Sequence, residues 1–476
     1  MFKNLFKFCF IIPTFLIFPC SSIFPVRLLA EELSIKDSPK DRLIKFEEIP
    51  NVLANNNLEL QSLNKLVKAA SYDVSSKISK KYPKLDLNAN GLPQYLYSRS
   101  NSNSIDTKTS QYQINPSLNL RWNIIDPKRG PEIKSSKNRY EIALNNYEIK
   151  KKDLIQEANT RYHRFQKSIQ DEKNALIAVE LSETSLKDAK AKLEVGIGTK
   201  FEVIEANSQL EIDKQLLKEN TTAKEINLIL LKEILNIDFN ENITFEEKHE
   251  LTGFWSHPLE KILKSGLEKS YSLKNINIQN SFKRNQAQIF KNAYLPVIFI
   301  SNSLSSSFSK GSSLTTQIDP NQTSSTYSNT ISLNLAWNLF DGGQNSNSAK
   351  SKQAEAEAEK LKYLNLQNVI RTNISEAYLN LLKAKNKLIS TKQEILASRE
   401  ALRLARLRYD VGIATLKDVL IKQQESTLSK SKNINAIYNY NINLDKLERL
   451  TFLVKSASCN IENNTNEDSE YSICDY

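Results

Sequence analysis

The chain has 476 residues, of which 65 are Lys or Arg and 54 are Asp or Glu. Only 10 residues are glycine, where average usage would give about 33, and neither GxGxxG nor GxxxxGK[ST] occurs, which argues against glycine-rich nucleotide-binding loops. The net charge of +11 is spread over stretches that also contain Asp and Glu, which argues against nucleic-acid binding.

Residues 1–30 have the pattern of a secretory signal peptide. Two lysines precede a short apolar stretch at 8–18, which is too short to cross a membrane as a helix. Cleavage could follow Ala30 or Ser22. Cys20 leaves a lipoprotein alternative open, although the residues before it match that processing poorly. We therefore expect an exported protein.

The first half of the remaining chain is expected to alternate between helices and strands. A helix is predicted near 51–82, strands over 85–97 and 111–124, a long helix over 131–194 and a reversed helix over 201–236. Apolar residues at every second position indicate the strands, each with one apolar and one polar face. Long stretches free of proline indicate the helices.

The second half is expected to follow the same order. A helix is predicted over 258–292, strands over 296–309 and 327–339, and helices over 345–410 and 416–454. Each of the two longest helices has about 65 residues and would be about 100 Å long. The strand pairs would then lie at one end of a rod, and the glycine-containing turns that follow the long helices would lie at the other.

Polar segments between the predicted strands and aromatic residues near their ends add further information about the sheet. The segments 98–110 and 309–326, rich in Ser, Asn and Thr, are expected to be the loops that join the strands of each pair. Aromatic residues lie near the predicted strand ends, where the aromatic girdles of membrane barrels belong, or they are ordinary strand aromatics. They are Tyr95, Tyr97, Tyr112, Trp122, Tyr327 and Trp337.

An internal duplication is the most informative feature of the sequence. LNLRWNIIDPKRG at 118–130 resembles LNLAWNLFDGG at 333–343, and both contain the pattern W-N-x-x-D. Likewise VGIGTKFEV at 195–203 resembles VGIATLKDV at 411–419. Because both matches have nearly the same offset, we interpret the chain as a duplicated unit rather than a many-copy solenoid.

The duplication divides the chain into segments. The first structural repeat is placed at 45–250, the second at 255–455, and a periplasmic C-terminal tail at 456–476. The tail contains Cys459 and Cys474, which would pair in an oxidising compartment or remain free thiols.

Heptad spacing predicts that the long helices pack as coiled coils. One stripe of the second long helix is Ile374, Leu381, Leu388, Ile395, Leu402 and Tyr409. A neighbouring stripe of small residues is Ala377, Ala384, Thr391, Ser398 and Ala405. The equivalent seam of the first long helix is Ala158, Phe165, Val179, Leu186 and Leu193, with Glu172 as the exception.

Motifs for catalysis or metal binding are absent from the sequence. His163, His249 and His257 form no HExxH pattern and lie far from any cysteine, and no GxSxG occurs. We therefore expect no catalytic residue, no cofactor and no metal site.

Taken together, the duplicated halves, the two W-N-x-x-D joints and the two glycine turns resemble the TolC-type family of outer-membrane efflux proteins over about 45–455. RYDVGIATLKDVL at 408–420 is the most specific match. The resemblance implies a mixed α/β membrane protein. A long antiparallel coiled-coil α-barrel would form a periplasmic tunnel, and four β-strands per chain would complete a trimeric 12-stranded β-barrel in the outer membrane.

The same resemblance implies a function and partners. A homotrimer would be a passive exit duct for tripartite efflux or type I secretion, in contact with outer-membrane lipid. It would work with a periplasmic adaptor protein and an inner-membrane pump of the RND or ABC type, with no nucleic acid and no cofactor involved. The transported substrate is left open by the sequence.

Two groups of residues would carry this function. The resemblance places Glu202, Tyr409, Asp418 and Ile421 at the periplasmic entrance. It places the adaptor-docking tips at Gly196, Ile197, Gly198, Thr199, Gly412, Ile413, Ala414 and Thr415. Two departures matter: Ile421 replaces a second pore acid, and Ala414 replaces the arginine of the family's closure network. Glu202 and Asp418 are also ordinary choices for the first turn of a helix.

Two other functions compete with the duct. A non-transporting coiled-coil tether or adhesin would explain the heptads but not the four strands. A secreted enzyme has little support, because nucleophile motifs are missing.

Since four strands cannot close a barrel with a lumen and open sheet edges are not tolerated in lipid, several chains must combine.

Overall fold

The computed structural model of the chain describes residues 42–102, 105–239, 241, 243–247, 249–314 and 322–456. The expected signal peptide at 1–30, the question of lipidation at Cys20, and the pairing of Cys459 with Cys474 lie outside the described residues.

The elements of the first half follow the predicted order, with short additions. They are β1 (Arg42–Ile44), α1 (Ile49–Asn56), α2 (Leu58–Ser79), β2 (Lys84–Ser102), β3 (Ile105–Ile125), α3 (Arg129–Glu194), α4 (Lys200–Leu235) and β4 (Ile243–Phe245). Strands β1 and β4 pair in parallel and were not predicted. The long helix α3 and the reversed helix α4 confirm the predictions within two residues at each end.

The second half contains α5 (Leu259–Lys269), α6 (Tyr271–Lys291), β5 (Val297–Leu314), β6 (Gln322–Ala336), α7 (Gln344–Asp410) and α8 (Leu416–Thr451). Strands β2, β3, β5 and β6 form one antiparallel sheet in that order. No helix in the described part of the chain combines the length and the apolar content needed to cross a bilayer.

Two predicted helices are each interrupted once. The helix expected near 51–82 divides at Asn57, whose side chain accepts a hydrogen bond from the Leu60 N–H (3.1 Å) and donates one to the Ile234 carbonyl (3.0 Å). The helix expected over 258–292 divides at Ser270, which caps α6 through the Leu273 N–H (3.3 Å). Asn and Ser interrupt helices because their side chains replace backbone hydrogen bonds at a helix start.

The loops predicted at 98–110 and 309–326 are wrong over most of their length. β2 and β3 stay paired as far as Ser102 and Ile105, and β5 and β6 as far as Gly311 and Gln322. Polar side chains do not prevent strand pairing, because the ladder needs only backbone N–H and C=O groups. Ser and Thr therefore extend the hairpins beyond the alternating segments.

Strand register confirms the predicted division of the sheet into two faces. Leu118 lies opposite Leu87 on one side and Leu304 on the other. On the opposite face Ser303 donates a hydrogen bond to the Asn119 side chain (2.8 Å), and hydroxyl groups of neighbouring strands also bond to each other. One face of the sheet is thus apolar, and the other consists mainly of hydroxyl and amide groups.

The repeated W-N-x-x-D pattern marks two equivalent joints between the sheet and the long helices. The Trp122 indole N–H donates to the Lys81 carbonyl (2.9 Å), and Trp337 donates to the Tyr294 carbonyl (2.8 Å). In the second joint Asp341 also accepts hydrogen bonds from the Tyr294 hydroxyl (2.7 Å) and the Gly343 N–H (3.0 Å). Each tryptophan therefore ties the end of one strand to the helical segment before its partner strand.

Helices pack in two levels of four. Near the sheet the order is α2, α3, α6 and α7, and near the glycine turns it is α4, α3, α8 and α7. The predicted α7 seam is buried at Ile374, Leu381, Leu388, Leu402 and Tyr409. The seam predicted for α3 fails at Leu193, which is 39% exposed in the last turn of the helix.

A compact core lies near the middle of the rod, where α4 ends. It contains β1, β4 and buried residues of α1, α3 and α4. Next to it His163 lies 3.2 Å from one Asp445 carboxylate oxygen, and Lys455 donates to the other at 2.8 Å. This cluster links α3, α8 and the chain after α8.

Candidate functional site at the paired helix tips

The first tip is the turn between α3 and α4. Gly196 has φ +80°, which favours glycine because other residues rarely adopt it. The N–H groups of Ile197 and Gly198 donate to the Lys192 carbonyl at 3.0 and 2.9 Å, which closes the last turn of α3. A side chain at Gly198 would lie within 3.0 Å of the Lys192 and Leu193 backbone atoms, so the turn would have to shift to accept one.

The second tip, between α7 and α8, repeats this geometry. Gly412 has φ +77°, and the N–H groups of Ile413 and Ala414 donate to the Arg408 carbonyl at 2.8 and 3.1 Å. The duplicated turns therefore have the same hydrogen-bond pattern, with Arg408 in the place of Lys192. Ile197 and Ile413 project from the two tips with 76% and 75% of their surfaces exposed.

Both predicted entrance acids take part in capping boxes. The Glu202 carboxylate accepts the Thr199 N–H at 2.9 Å, and the Thr199 hydroxyl accepts the Glu202 N–H at 3.2 Å. Asp418 and Thr415 make the same exchange at 2.9 and 3.3 Å. Hydrogen bonds from the Thr415 hydroxyl and N–H lower the pKa of Asp418 below its ordinary value. These acids thus stabilise the starts of α4 and α8.

Tyr409 lies inside the packing between the tips. It is buried against residues of α3, α4 and α8, and its hydroxyl has no hydrogen-bond partner among the described residues. Burial, and then the negative charge of Glu202, raise the pKa of this hydroxyl. Ile421, one turn beyond Asp418, is 41% exposed.

Sequence reasoning missed three tip residues. Lys192 covers the Tyr409 ring, with its ammonium nitrogen 3.4 Å from the ring centre. Phe201 and Ile204, at the start of α4, are large and exposed. The duplication aligns Lys192 with Arg408, so it could have identified the lysine as a tip residue. It does not indicate that the two tips touch.

Comparisons with known proteins identify a family and structures with the same fold. The outer membrane efflux protein family matches 49–236 and 262–451. The Campylobacter jejuni CmeC outer membrane channel is 16% identical, with a TM-score of 0.69, over 92% of this chain and 94% of that one. The outer membrane protein VceC of Vibrio cholerae is 13% identical, with a TM-score of 0.69, over 87% and 97%.

A third similar structure is a membrane protein from Pseudomonas aeruginosa. It is 16% identical, with a TM-score of 0.71, over 88% of this chain and 97% of that one. At these identities the structures show a shared fold. Among curated proteins, no significant match is found.

Proposed function

Since this chain belongs to the outer membrane efflux protein family and is therefore an outer-membrane efflux channel, we propose that three copies form a passive exit duct for tripartite efflux or type I secretion. The family match confirms the resemblance predicted from the sequence. The observation that carries the proposal is that the chain has two open edges, which continue from the sheet into the helices.

The edges are well defined. In the sheet they are β2 and β6, and in the helical part they are α2 with α4 on one side and α7 on the other. Unpaired strand edges are not tolerated in lipid. Two different edges that join head to tail generate a closed ring. The number three comes from the family resemblance.

Apolar residues on the two helical edges support this ring. Within about 50 Å of the tips, the large apolar residues that are exposed in one chain are Phe201, Ile204, Ile212, Leu216, Ile226 and Ile229 on α4, and Leu379, Leu382, Leu396, Leu404 and Leu407 on α7. Measured from the tips at about 1.5 Å per residue, both edges have exposed apolar residues below about 10 Å, between about 18 and 24 Å, and between about 39 and 47 Å. The apolar residues of one copy would therefore meet those of the next.

The sheet has the dimensions of a membrane-spanning segment. Ten residues separate Tyr112 from Trp122 on the apolar face. At about 3.4 Å per residue and a tilt of about 45° this is about 24 Å, close to the apolar band of outer-membrane barrels. Four strands from each of three chains would give a 12-stranded β-barrel, with the hydroxyl and amide face lining the lumen.

The helical tips would form the periplasmic entrance of the duct. We place the docking of a periplasmic adaptor on the exposed turns 196–199 and 412–415, and that adaptor would connect an inner-membrane pump of the RND or ABC type. A tether or adhesin is the alternative, but it gives no role to a sheet with an apolar face and two open edges.

Two measurements test the duct. We expect the detergent-solubilised protein to have about three times the mass of one chain, and to form water-filled channels in planar bilayers. The trimer should give the conductance, because a single chain would leave both sheet edges unpaired. A folded monomer in the membrane, or a trimer without conductance, would contradict the proposal.

We further propose that the entrance acids make the duct cation-selective. Three copies each of Glu202 and Asp418 around one axis would attract cations in a narrow passage. The variant Glu202→Gln with Asp418→Asn should lower the cation-to-anion permeability ratio by about twofold or more. Gln and Asn retain the oxygen that caps each helix, so the tips should stay folded.

A matched control neutralises the same number of charges farther from the tips. Glu211 and Glu425 are exposed acids of α4 and α8, each paired with a lysine on its own helix. Glu211→Gln with Glu425→Gln should leave selectivity nearly unchanged. Equal effects of the two double variants would show that the tip acids act only as helix caps.

A further inference from the structure

Lys192 joins the two tips of one chain. It belongs to the last turn of α3, where its carbonyl closes the first tip, while its side chain extends to the last turn of α7. There the ammonium group lies 3.4 Å from the centre of the Tyr409 ring and donates a hydrogen bond to the Tyr409 carbonyl at 3.0 Å. One side chain thus contacts both the ring and the backbone of the second hairpin.

Three interactions favour this position of the ammonium group. The face of an aromatic ring attracts a cation, more strongly where water is excluded, and Tyr409 is only 7% exposed. The Tyr409 carbonyl is one of the last of α7, and it accepts the Gly412 N–H at 3.1 Å, which leaves a second lone pair for the ammonium group. The C-terminal end of a helix also carries partial negative charge. Lys192 satisfies all three with one positive charge.

The two predicted entrance acids bond within their own tip. Glu202 exchanges hydrogen bonds with Thr199, and Asp418 exchanges them with Thr415. Position 414, where the resemblance implied a closing arginine, is alanine. The contact of Lys192 with Tyr409 therefore connects two hairpins whose entrance acids, Glu202 and Asp418, are engaged within their own tips.

The duplication shows that this contact is not repeated. Arg408 corresponds to Lys192, and Leu193 corresponds to Tyr409. A leucine has no aromatic face, so the corresponding pair cannot form a cation–π contact. In a ring of alternating first and second tips, the contact would hold together the two tips of each chain and leave the boundaries between chains without it.

We propose that Lys192 is a positioning residue of the entrance, which clamps the two tips of each chain together through Tyr409 and so limits how far the entrance opens. The inference rests on the proposed duct. It implies that the two tips of one chain move as a unit, and that the clamp favours the narrower state of the entrance.

Single-channel recording of the purified trimer tests the clamp. Removal of one cation–π contact should shift the equilibrium toward the wider entrance by about twofold to thirtyfold per chain. Lys192→Met should therefore increase the mean conductance. Lys192→Arg should remain close to wild type, since a guanidinium also binds an aromatic face. Tyr409→Leu should act like Lys192→Met, and the double variant should add little to either.

Lys190→Met is the matched control. Lys190 is an exposed lysine on the same turn of α3, and its replacement removes the same charge. Mass measurement of every variant checks that the trimer is intact. Equal conductance of Lys192→Met and Lys190→Met, or additive effects of Lys192→Met and Tyr409→Leu, would overturn the clamp while leaving the duct in place. If Lys192→Met does not assemble, the conductance of Tyr409→Leu alone tests the clamp, and an unchanged conductance would overturn it. Failure of the wild-type trimer to conduct would instead overturn the duct.

Discussion

Replacement of Asp445 by alanine is expected to lower the free energy of unfolding by about 3–5 kcal/mol, because it removes the anion of a buried ion pair. The Asp445 side chain is 2% exposed and the Lys455 side chain 15%. Without the carboxylate, the anionic partner that the described residues leave to the lysine is Glu448, at 4.0 Å. His163 loses its partner as well. Denaturant unfolding in detergent measures the change.

Asp153→Ala is the control for this variant. Asp153 also pairs with a cation, Arg449, at 2.7 Å, but its side chain is 49% exposed. Exposed pairs contribute about 0–1 kcal/mol, so the control should be close to wild type. If both variants lose a similar free energy of unfolding, the burial of Asp445 does not make its ion pair more important for stability than an exposed one.

The same cluster predicts a pH dependence. Burial opposes ionisation of Asp445, but the hydrogen bond from His163 and the charge of Lys455 outweigh it, so the pKa of Asp445 lies below its ordinary value of 3.8. A group whose pKa is lowered by folding stabilises the fold above its ordinary pKa and loses that contribution as pH falls through the lowered value. The free energy of unfolding of wild type should therefore exceed that of Asp445→Ala by the full amount at pH 7. This difference should shrink only below about pH 3.8.

Long-range periodicity made the helices and strands predictable. Heptads fixed the buried seam of α7, and alternation fixed the two faces of the sheet. The glycines at 196 and 412 indicated the tips, because both occupy positive-φ positions where a helix ends. The W-N-x-x-D pattern located both joints, although the tryptophan hydrogen bonds that explain it became visible only in the structure.

Contacts between distant segments were not predictable. β1 and β4 are three residues each and pair across about two hundred residues, so neither shows a period of its own. The Lys192 contact with Tyr409 joins residues 217 positions apart. The burial of His163 with Asp445 has the same origin. In each case the contact joins two segments that are far apart in the sequence, and a local sequence pattern gives no information about which distant segment a residue will meet.

Introduction of a charge on either helical edge should abolish the trimer. Leu379 of α7 and Ile229 of α4 lie about 47 and 44 Å from the tips at about 1.5 Å per residue, and both are more than half exposed within one chain. In the ring each would be buried against the next copy. Because every chain contributes both edges, Leu379→Glu or Ile229→Glu places an unpaired carboxylate at all three boundaries. Each should cost about 3 kcal/mol or more.

Leu428→Glu separates this effect from a general effect of charge. Leu428 is 56% exposed, close to the 51% of Ile229, but it belongs to α8, which lies between α3 and α7 and is not itself an edge helix. Mass measurement in detergent should find monomers for both edge variants and trimers for Leu428→Glu. If the edge variants remain trimeric while Leu428→Glu dissociates, the chains meet through the faces of the helical layer rather than through its edges, and the head-to-tail ring must be abandoned.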